Sequence, residues 1–311
     1  MKFSLTASRL ERKRCLSMNN EKQGQILKGV GGTYWVESDG ALFPCSVRGA
    51  IRRTGTKPTV GDYVAFIPSE NAEDCGRIER ILPRKTYLIR PAVANGELFV
   101  LVVAAAQPDP SYWLIDQMLT MAEHSGMEVI LCITKNDLAD STELADLYRH
   151  AGYEVFQVCS KTGEGINDFR SNISGKKVVF AGASGVGKSR LLNAINPEWN
   201  AKTGSVSEKI GRGKHTTRHV EFFPFNNGYI ADTPGFSAAE VFGFPADELA
   251  EMFPEFRPYT NDCYFTSCSH TKEKGCAVLE ALENGKIAPS RHESYCQIFK
   301  ELQKVKEWEK K

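Results

Sequence analysis

The stretch Gly182-Ala183-Ser184-Gly185-Val186-Gly187-Lys188-Ser189 decides how this chain is read. It has the spacing GxxxxGK[ST], and its surroundings are those the spacing requires. The run Lys177–Ala181 before it is apolar and β-branched, as a buried strand would be. After it, Leu191, Leu192 and Ile195 fall on one face of a helix beginning near Lys188. Glycines at these positions let successive backbone N–H groups turn inward around a β-phosphate, and the helix N-terminus adds a field that favours anions. Lys188 then reaches the β/γ oxygens, and Ser189 is placed to ligate Mg2+. Gly182, Ala183, Ser184, Gly185, Val186, Gly187 and the following Arg190 complete the expected phosphate contacts. The motif implies nucleoside triphosphate chemistry and leaves the base open.

Upstream, Thr134-Lys135-Asn136-Asp137 follows the apolar run Val129–Ile133 and resembles the guanine-reading NKxD motif. Asp137 can accept from both N1–H and the 2-amino group of guanine. Adenine offers neither donor, and an unpaired carboxylate there costs roughly 1–3 kcal/mol or more. The first position is Thr rather than Asn, which is expected to lose an amide that braces the base and the phosphate loop. One αβ unit later, Cys159-Ser160-Lys161 resembles the SAK loop, with the Ser160 N–H directed at guanine O6. A helix N-cap is the competing role for Asp137, and the two are compatible.

Downstream, Asp232-Thr-Pro-Gly235 matches DxxG: Asp232 is expected to hold Mg2+ through water, and the Gly235 N–H to contact the γ-phosphate. Gly211-Arg-Gly-Lys-His215-Thr216-Thr217 fits a first switch, in which Thr216 or Thr217 closes on Mg2+ and the γ-phosphate. Phe236 stands where many GTPases carry a Gln that orients the attacking water. His215 is the candidate for that task, with a surface loop histidine as the equal alternative; Lys188 and Thr217 are the other expected catalytic groups. The guanine motifs precede the phosphate loop, the reverse of the ordinary order. The same parallel sheet is built if the chain is cut elsewhere, so the arrangement reads as a circularly permuted P-loop α/β GTPase domain over residues 86–240.

Residues 24–85 read differently. Five short β-branched or aromatic runs (Gln25–Lys28, Thr33–Ser38, Ala41–Val47, Tyr63–Pro68, Arg77–Leu82) are punctuated by Gly31-Gly32, Asp39-Gly40 and Gly61-Asp62. This suits an OB-fold β-barrel. From Arg48 to Arg90 there are nine basic residues against five acidic ones, read either as an RNA-binding face or as a solvated surface. Residues 1–23 are polar and basic without apolar periodicity, an expected disordered arm in which Met18 is an alternative start.

Residues 241–311 read as an α-helical zinc-binding domain. Cys263-x4-Cys268-x-His270-x5-Cys276 sets three thiolates and an imidazole within 14 residues. This donor set suits one tetrahedral, structural Zn2+ with no open position. Cys296 and His292 are read as helix packing and surface.

The chain has 311 residues, net charge +1 and 41% apolar residues. Its longest apolar stretch, Leu98–Ala106, is about half a membrane span. Nine cysteines without an export signal argue for reduced thiols or a metal site. The near-zero charge is a sum of opposites. Asp232 to Glu255 holds six acids and no Lys or Arg, whereas Lys202 to Arg218 holds five basic residues and one acid. Basic faces able to meet nucleic acid are therefore present.

Together these parts resemble the ribosome small-subunit-dependent GTPase A family, the circularly permuted YjeQ/YloQ-type GTPases. The resemblance spans residues 24 to about 300. It rests on Cys45-Ser-Val-Arg-Gly49, Gly61-Asp62, the permuted motifs, the switch at 211–217 and the Cys/His cluster, with departures at Thr134 and Cys159. It implies a cytoplasmic, monomeric GTPase that binds the small (30S) ribosomal subunit and its 16S rRNA. Such a protein assists late subunit maturation and leaves on subunit-stimulated hydrolysis of GTP to GDP, with no membrane partner. Two other classes remain open on the residues alone. One is a P-loop ATPase or kinase, which Asp137 argues against. The other is a non-catalytic, nucleotide-gated RNA-binding module, which Phe236 leaves possible.

Overall fold

The computed structural model describes residues 21–47, 56–69, 71, 74–198, 220–232 and 244–308. The expected arm therefore lies outside the described residues as far as position 20. The chain forms two compact units, one of residues up to Asn95 with 218–223, the other of 96–217 and 224–311.

In the first unit, β1 (Lys22–Val30), β2 (Thr33–Ser38), β3 (Ala41–Val47), β4 (Tyr63–Ile67) and β5 (Gly76–Ile81) close a barrel in the order β1-β2-β3-β5-β4. Neighbours pair antiparallel except β3 with β5, which run parallel over Cys45–Val47 and Gly76–Ile78. Alternation sends Ile26, Val36, Cys45, Val64, Phe66 and Ile78 to a closed interior. Both hairpin turns need left-handed backbone: Gly31 and Gly32 have φ of 61° and 88°, and Asp39 and Gly40 have 54° and 77°.

Gly61-Asp62 serves this architecture. Gly61 has φ of 91°, and a Cβ there would lie 1.8 Å from the Ala94 carbonyl oxygen, so only glycine fits. The fully buried Asp62 accepts the Thr59 N–H at 2.8 Å and a bidentate pair from Arg84, Nε at 2.7 Å and Nη2 at 2.8 Å. Arg84, one of the nine basic residues, is thus committed to the interior. Arg80 pairs with Glu21 and Arg77 with Glu79. The basic character of the barrel is smaller than its residue count suggests.

The second unit contains a six-stranded sheet, all but Phe222 and Phe223 of its edge strand. It is built from β8 (Leu98–Ala104), β9 (Glu128–Thr134), β10 (Glu154–Gln157), β11 (Lys177–Ala181), β12 (Phe222–Phe225) and β13 (Gly228–Asp232) in the order β10-β9-β8-β11-β13-β12. The short ribbon β6 (Tyr87–Leu88) and β7 (Val93–Ala94) precedes it in the chain. Pairings from β10 to β13 are parallel, and every residue of β8 is buried, as a central strand covered on both faces requires. Four helices connect or follow the strands: α1 (Tyr112–His124), α2 (Thr142–His150), α3 (Ile166–Ile173) and α4 (Lys188–Ile195). Leu191, Leu192 and Ile195 bury the inner face of α4 against Val102, Val178 and Phe180.

The C-terminal segment belongs to the same unit. Two 3-10 turns (Ala246–Met252, Thr260–Asp262), α5 (Ala277–Glu283) and α6 (Pro289–Trp308) enclose a second core of Leu249, Phe253, Phe256, Val278, Ile287 and Ile298. It is tied to α1 by a buried charge cluster. Arg291, 1% exposed, reaches Asp116 on α1 through Nη1 at 2.6 Å. It also grips both Glu255 oxygens at 2.6 and 3.1 Å. Tyr148 donates to Asp116 at 2.8 Å, and the guanidinium lies 4.4 Å from the centre of the Phe253 ring. Burial pushes the Asp116 carboxyl up, and Arg291 and Tyr148 oppose the shift.

Candidate nucleotide and metal sites

The loop between β11 and α4 has three glycines in left-handed backbone: Gly182, Gly185 and Gly187, with φ of 153°, 83° and 97°. At Gly182 a Cβ would meet the Val102 carbonyl oxygen at 2.4 Å, so side chains are excluded by packing as well as by conformation. Gly187 caps α4, and Lys188 follows as its first residue. Lys188 is 3% exposed, and its Nζ lies 3.2 Å from Asp232 Oδ1 at the end of β13. That oxygen is buried and, among the described residues, has no aligned hydrogen-bond donor. A buried carboxylate oxygen at the end of this strand suits a hard cation and its water shell.

Two cavities adjoin this loop. One, of about 310 Å³, is lined by Lys135, Ala183, Gly185, Lys188, Ser189 and Arg190, among others. The other, of about 720 Å³, is lined by Thr134, Lys135, Asp137, Ser160, Lys161 and Arg190, with Gln107, Leu138, Asn193 and Ala194 completing the wall. Gly187, Lys135 and Arg190 border both.

The sequence motifs account for most of this wall, with two differences. The Thr134 hydroxyl donates to the carbonyls of Val103 at 3.1 Å and Val186 at 2.5 Å. The shorter side chain thus keeps the brace between the base loop and the phosphate loop that its departure from Asn was expected to cost. Asn136 does not line the cavity. Its Oδ1 accepts from the Ser141 hydroxyl at 2.9 Å, so it shapes the turn from beneath. Asp137 is held by two neighbours, the Cys159 thiol at 3.5 Å and Lys161 Nζ at 3.5 Å. Lys135, with φ of 61°, hydrogen-bonds the Gln107 carbonyl and so spans the cavity. Gln107, Leu138, Asn193 and Ala194 carry no motif; the fold alone brings them here. His215, Thr216, Thr217 and Gly235 lie outside the described residues.

The Cys/His cluster is assembled. Cys263, Cys268, His270 and Cys276 place their donor atoms within 4.8 Å of one another. Cys263 and Cys276 sulfurs are 3.8 Å apart, and each is 3.5 Å from His270 Nδ1. A zinc tetrahedron with Zn–S bonds of about 2.3 Å and Zn–N of about 2.0 Å has edges of about 3.8 and 3.5 Å. The donors therefore fit one zinc ion. Burial lowers the His270 pKa. Burial also pushes the Cys268 thiol up to about 12, with Cys276 and Cys263 adding to the rise against a lowering backbone N–H of His270. Such thiols ionise together with the arrival of a cation.

The loop is held from beneath by groups that its spacing does not reveal. His292 Nε2 donates to the His270 carbonyl at 2.8 Å and the Tyr295 hydroxyl to the Ser269 carbonyl at 2.9 Å. His292 is half-buried and stacked on Phe256 and Tyr295, not a surface residue.

Comparison with known proteins agrees with this geometry. The family model described as RsgA GTPase matches residues 81–242, and that of the RsgA N-terminal domain matches 23–75. A relative in Ruminiclostridium cellulolyticum, named small ribosomal subunit biogenesis GTPase RsgA, is 43% identical over 293 residues, covering 93% of this chain and 96% of its own. One of the same name in Geobacillus thermodenitrificans is 44% identical, covering 91% and 98%. The crystal structure of YjeQ from Thermotoga maritima superposes with a TM-score of 0.75 at 35% identity, covering 91% of this chain and 99% of that one. That of YloQ, described as a circularly permuted GTPase, gives 0.74 at 34%, covering 92% and 96%.

Proposed function

Since the chain belongs to the RsgA GTPase family, we propose that it hydrolyses GTP while bound to the small (30S) ribosomal subunit, assists that subunit's late maturation, and is released on hydrolysis. One observation carries the nucleotide part of this reading. The cavity holding Asp137 and the cavity holding Lys188 share Lys135, Gly187 and Arg190, so one nucleotide spans from base-reading carboxylate to phosphate-binding lysine.

On this reading Asp137 accepts from guanine N1–H and the 2-amino group, and the Ser160 N–H donates to O6. The aliphatic stem of Lys135 covers the base. Lys188 exchanges Asp232 for phosphate oxygens, which keeps its buried charge paired throughout. Ser189, Asp232 and either Thr216 or Thr217 would hold Mg2+, which neutralises charge developing on the β- and γ-phosphate oxygens. His215 orients the attacking water, a task Phe236 cannot perform. The zinc ion is structural: its four protein donors leave no position for substrate.

The partner is the 30S subunit and its 16S rRNA, met in part by the barrel, where Lys28 lies over Trp35 and Lys22 over Phe43. The protein acts as a cytoplasmic monomer. Among the described residues, no helix is long and apolar enough to cross a membrane. The test is GTP turnover with and without purified small subunits, together with competition between GDP and ADP for the cavity. Stimulation by the subunit and strong preference for GDP are expected; equal turnover or equal nucleotide affinity overturns the respective part.

A further inference from the structure

A purine in the larger cavity has two faces to be covered, and the sequence motifs provide for one. Lys135 supplies that cover. Its ammonium hydrogen-bonds the Gln107 carbonyl across the cavity, which fixes the aliphatic stem along one side. The loop that carries Gln107 is itself seated, since a Cβ on Gly185 would lie 3.7 Å from Cδ of Pro108. Lys135 is therefore committed to its side. Asp137 and Ser160 are spent on the edge of the base. An aromatic ring is a common cover for a second face, yet among the described residues no aromatic side chain lines this cavity.

The remaining wall is α4. It presents Arg190, Asn193 and Ala194, spaced i, i+3 and i+4 and so on one face of the helix. Asn193 and Ala194 are short, which leaves room above them for a longer side chain to lie over the cavity. Arg190 is exposed and has no ion pair among the described residues. Its guanidinium is planar, delocalised and weakly hydrated, the properties by which arginine stacks on aromatic faces where lysine does not.

Arg190 also borders the smaller cavity, so a phosphate contact competes for the same side chain. Two observations favour the base. Asn193 and Ala194, on the same helix face, border the larger cavity alone. The phosphates already have the loop's backbone N–H groups, the start of α4 and Lys188, whereas the second face of the base has nothing else. We propose that the Arg190 guanidinium stacks on the face of the guanine turned away from Lys135, clamping the base between two cationic side chains. This rests on the reading of the larger cavity as the base site. It also divides the labour there. Stacking accepts any purine, so Arg190 supplies affinity while Asp137 supplies the choice of base.

The test uses the full zinc-loaded chain and displacement of a fluorescent GDP analogue by GDP, inosine diphosphate and ADP. Arg190→Ala should weaken GDP by about tenfold, the loss typical of one stacked base. Inosine diphosphate, which lacks the 2-amino group, should weaken by the same factor. Arg190→Lys keeps the charge without the plane and should weaken GDP nearly as much. Arg190→Trp should bind GDP as the parent does, with the added indole emission quenched by the nucleotide. The nucleotide-free variants should melt with the parent, because the side chain is exposed and unpaired. A lysine variant of full affinity would show a phosphate contact and overturn the proposal. So would an alanine variant of full affinity, or a tryptophan variant as weak as alanine. A parent chain that binds ADP as well as GDP refutes the guanine reading instead. The stack is then sustained if the alanine and lysine variants weaken ADP alike, and overturned if they do not.

Discussion

Two buried ion clusters lie in the same unit and have opposite designs. Lys188–Asp232 is a pair at 3.2 Å beside a cavity, with one Asp232 oxygen lacking an aligned donor among the described residues. Asp116–Arg291–Glu255 has three members and an aromatic wall; its Asp116 Oδ2 also has no aligned donor among the described residues, but none of its three side chains lines a nucleotide cavity. The first is provisional: both partners have better ligands in a nucleotide and its cation. The second is permanent, because nothing can enter to replace a lost member. Buried charge is costly to form in either place. What differs is access: the first pair borders a cavity through which a nucleotide and its cation can reach it, and the second is enclosed by protein.

The sharpest way to break this contrast is Arg291→Ala. It leaves Asp116 and Glu255 buried without their cation, and a loss of about 3–5 kcal/mol in unfolding free energy is expected. Chemical denaturation measures it. Replacing Asp116, Arg291 and Glu255 together with apolar residues of similar volume should recover much of that loss, since the desolvation cost then disappears with the charges. Next in size is Lys188→Ala. Turnover of GTP should fall by about 10²–10³-fold, as for other single charge-stabilising groups. The denaturation midpoint should move far less than for Arg291→Ala, because water from the cavity reaches Asp232. Equal destabilisation by the two variants would erase the distinction.

The base cavity offers a smaller effect. Asp137→Asn exchanges an acceptor for an amide donor and should weaken GDP by about tenfold or more. It should favour xanthosine diphosphate, whose C2 carbonyl accepts where guanine donates; competition binding reads both. Smallest is Thr134→Val, which removes the hydroxyl bonds to Val103 and Val186. About 1 kcal/mol, a fewfold loss in nucleotide affinity, is expected. An unchanged affinity would mean that the brace shapes nothing the nucleotide feels.

The two clusters also differ in how they can be read before folding. Lys188 announces itself because its role depends on residues within eight positions, and the glycines report their own backbone needs. Asp116 and Arg291 are 175 positions apart. Neither sits in a motif, and each alone reads as a surface charge on a helix. The five barrel strands were legible from period-two runs and turn glycines. That Arg84 is spent on Asp62 was not, because charge counts carry no information about pairing. Asn136 and Thr134 show the same limit at closer range. The motif names the positions, but whether a side chain faces the base, the turn or the neighbouring loop is set by backbone directions that only the assembled sheet supplies. Gln107 and Asn193 reach the cavity from separate loops, so no local pattern marks them. His292 supports the metal loop from α6, 22 residues from the carbonyl it holds.

The separation of Asp116 from Arg291 has a consequence for the order of events during synthesis. At about 5–20 residues per second, roughly 9–35 s pass between the emergence of the acid and that of its cation. Through that interval α1 carries a carboxylate that cannot be buried cheaply, and its final seat against β8 and β9 stays unfinished. Closure of the sheet's first helix therefore waits on the last one, and a chain released early would present that open flank to the cell's proteases.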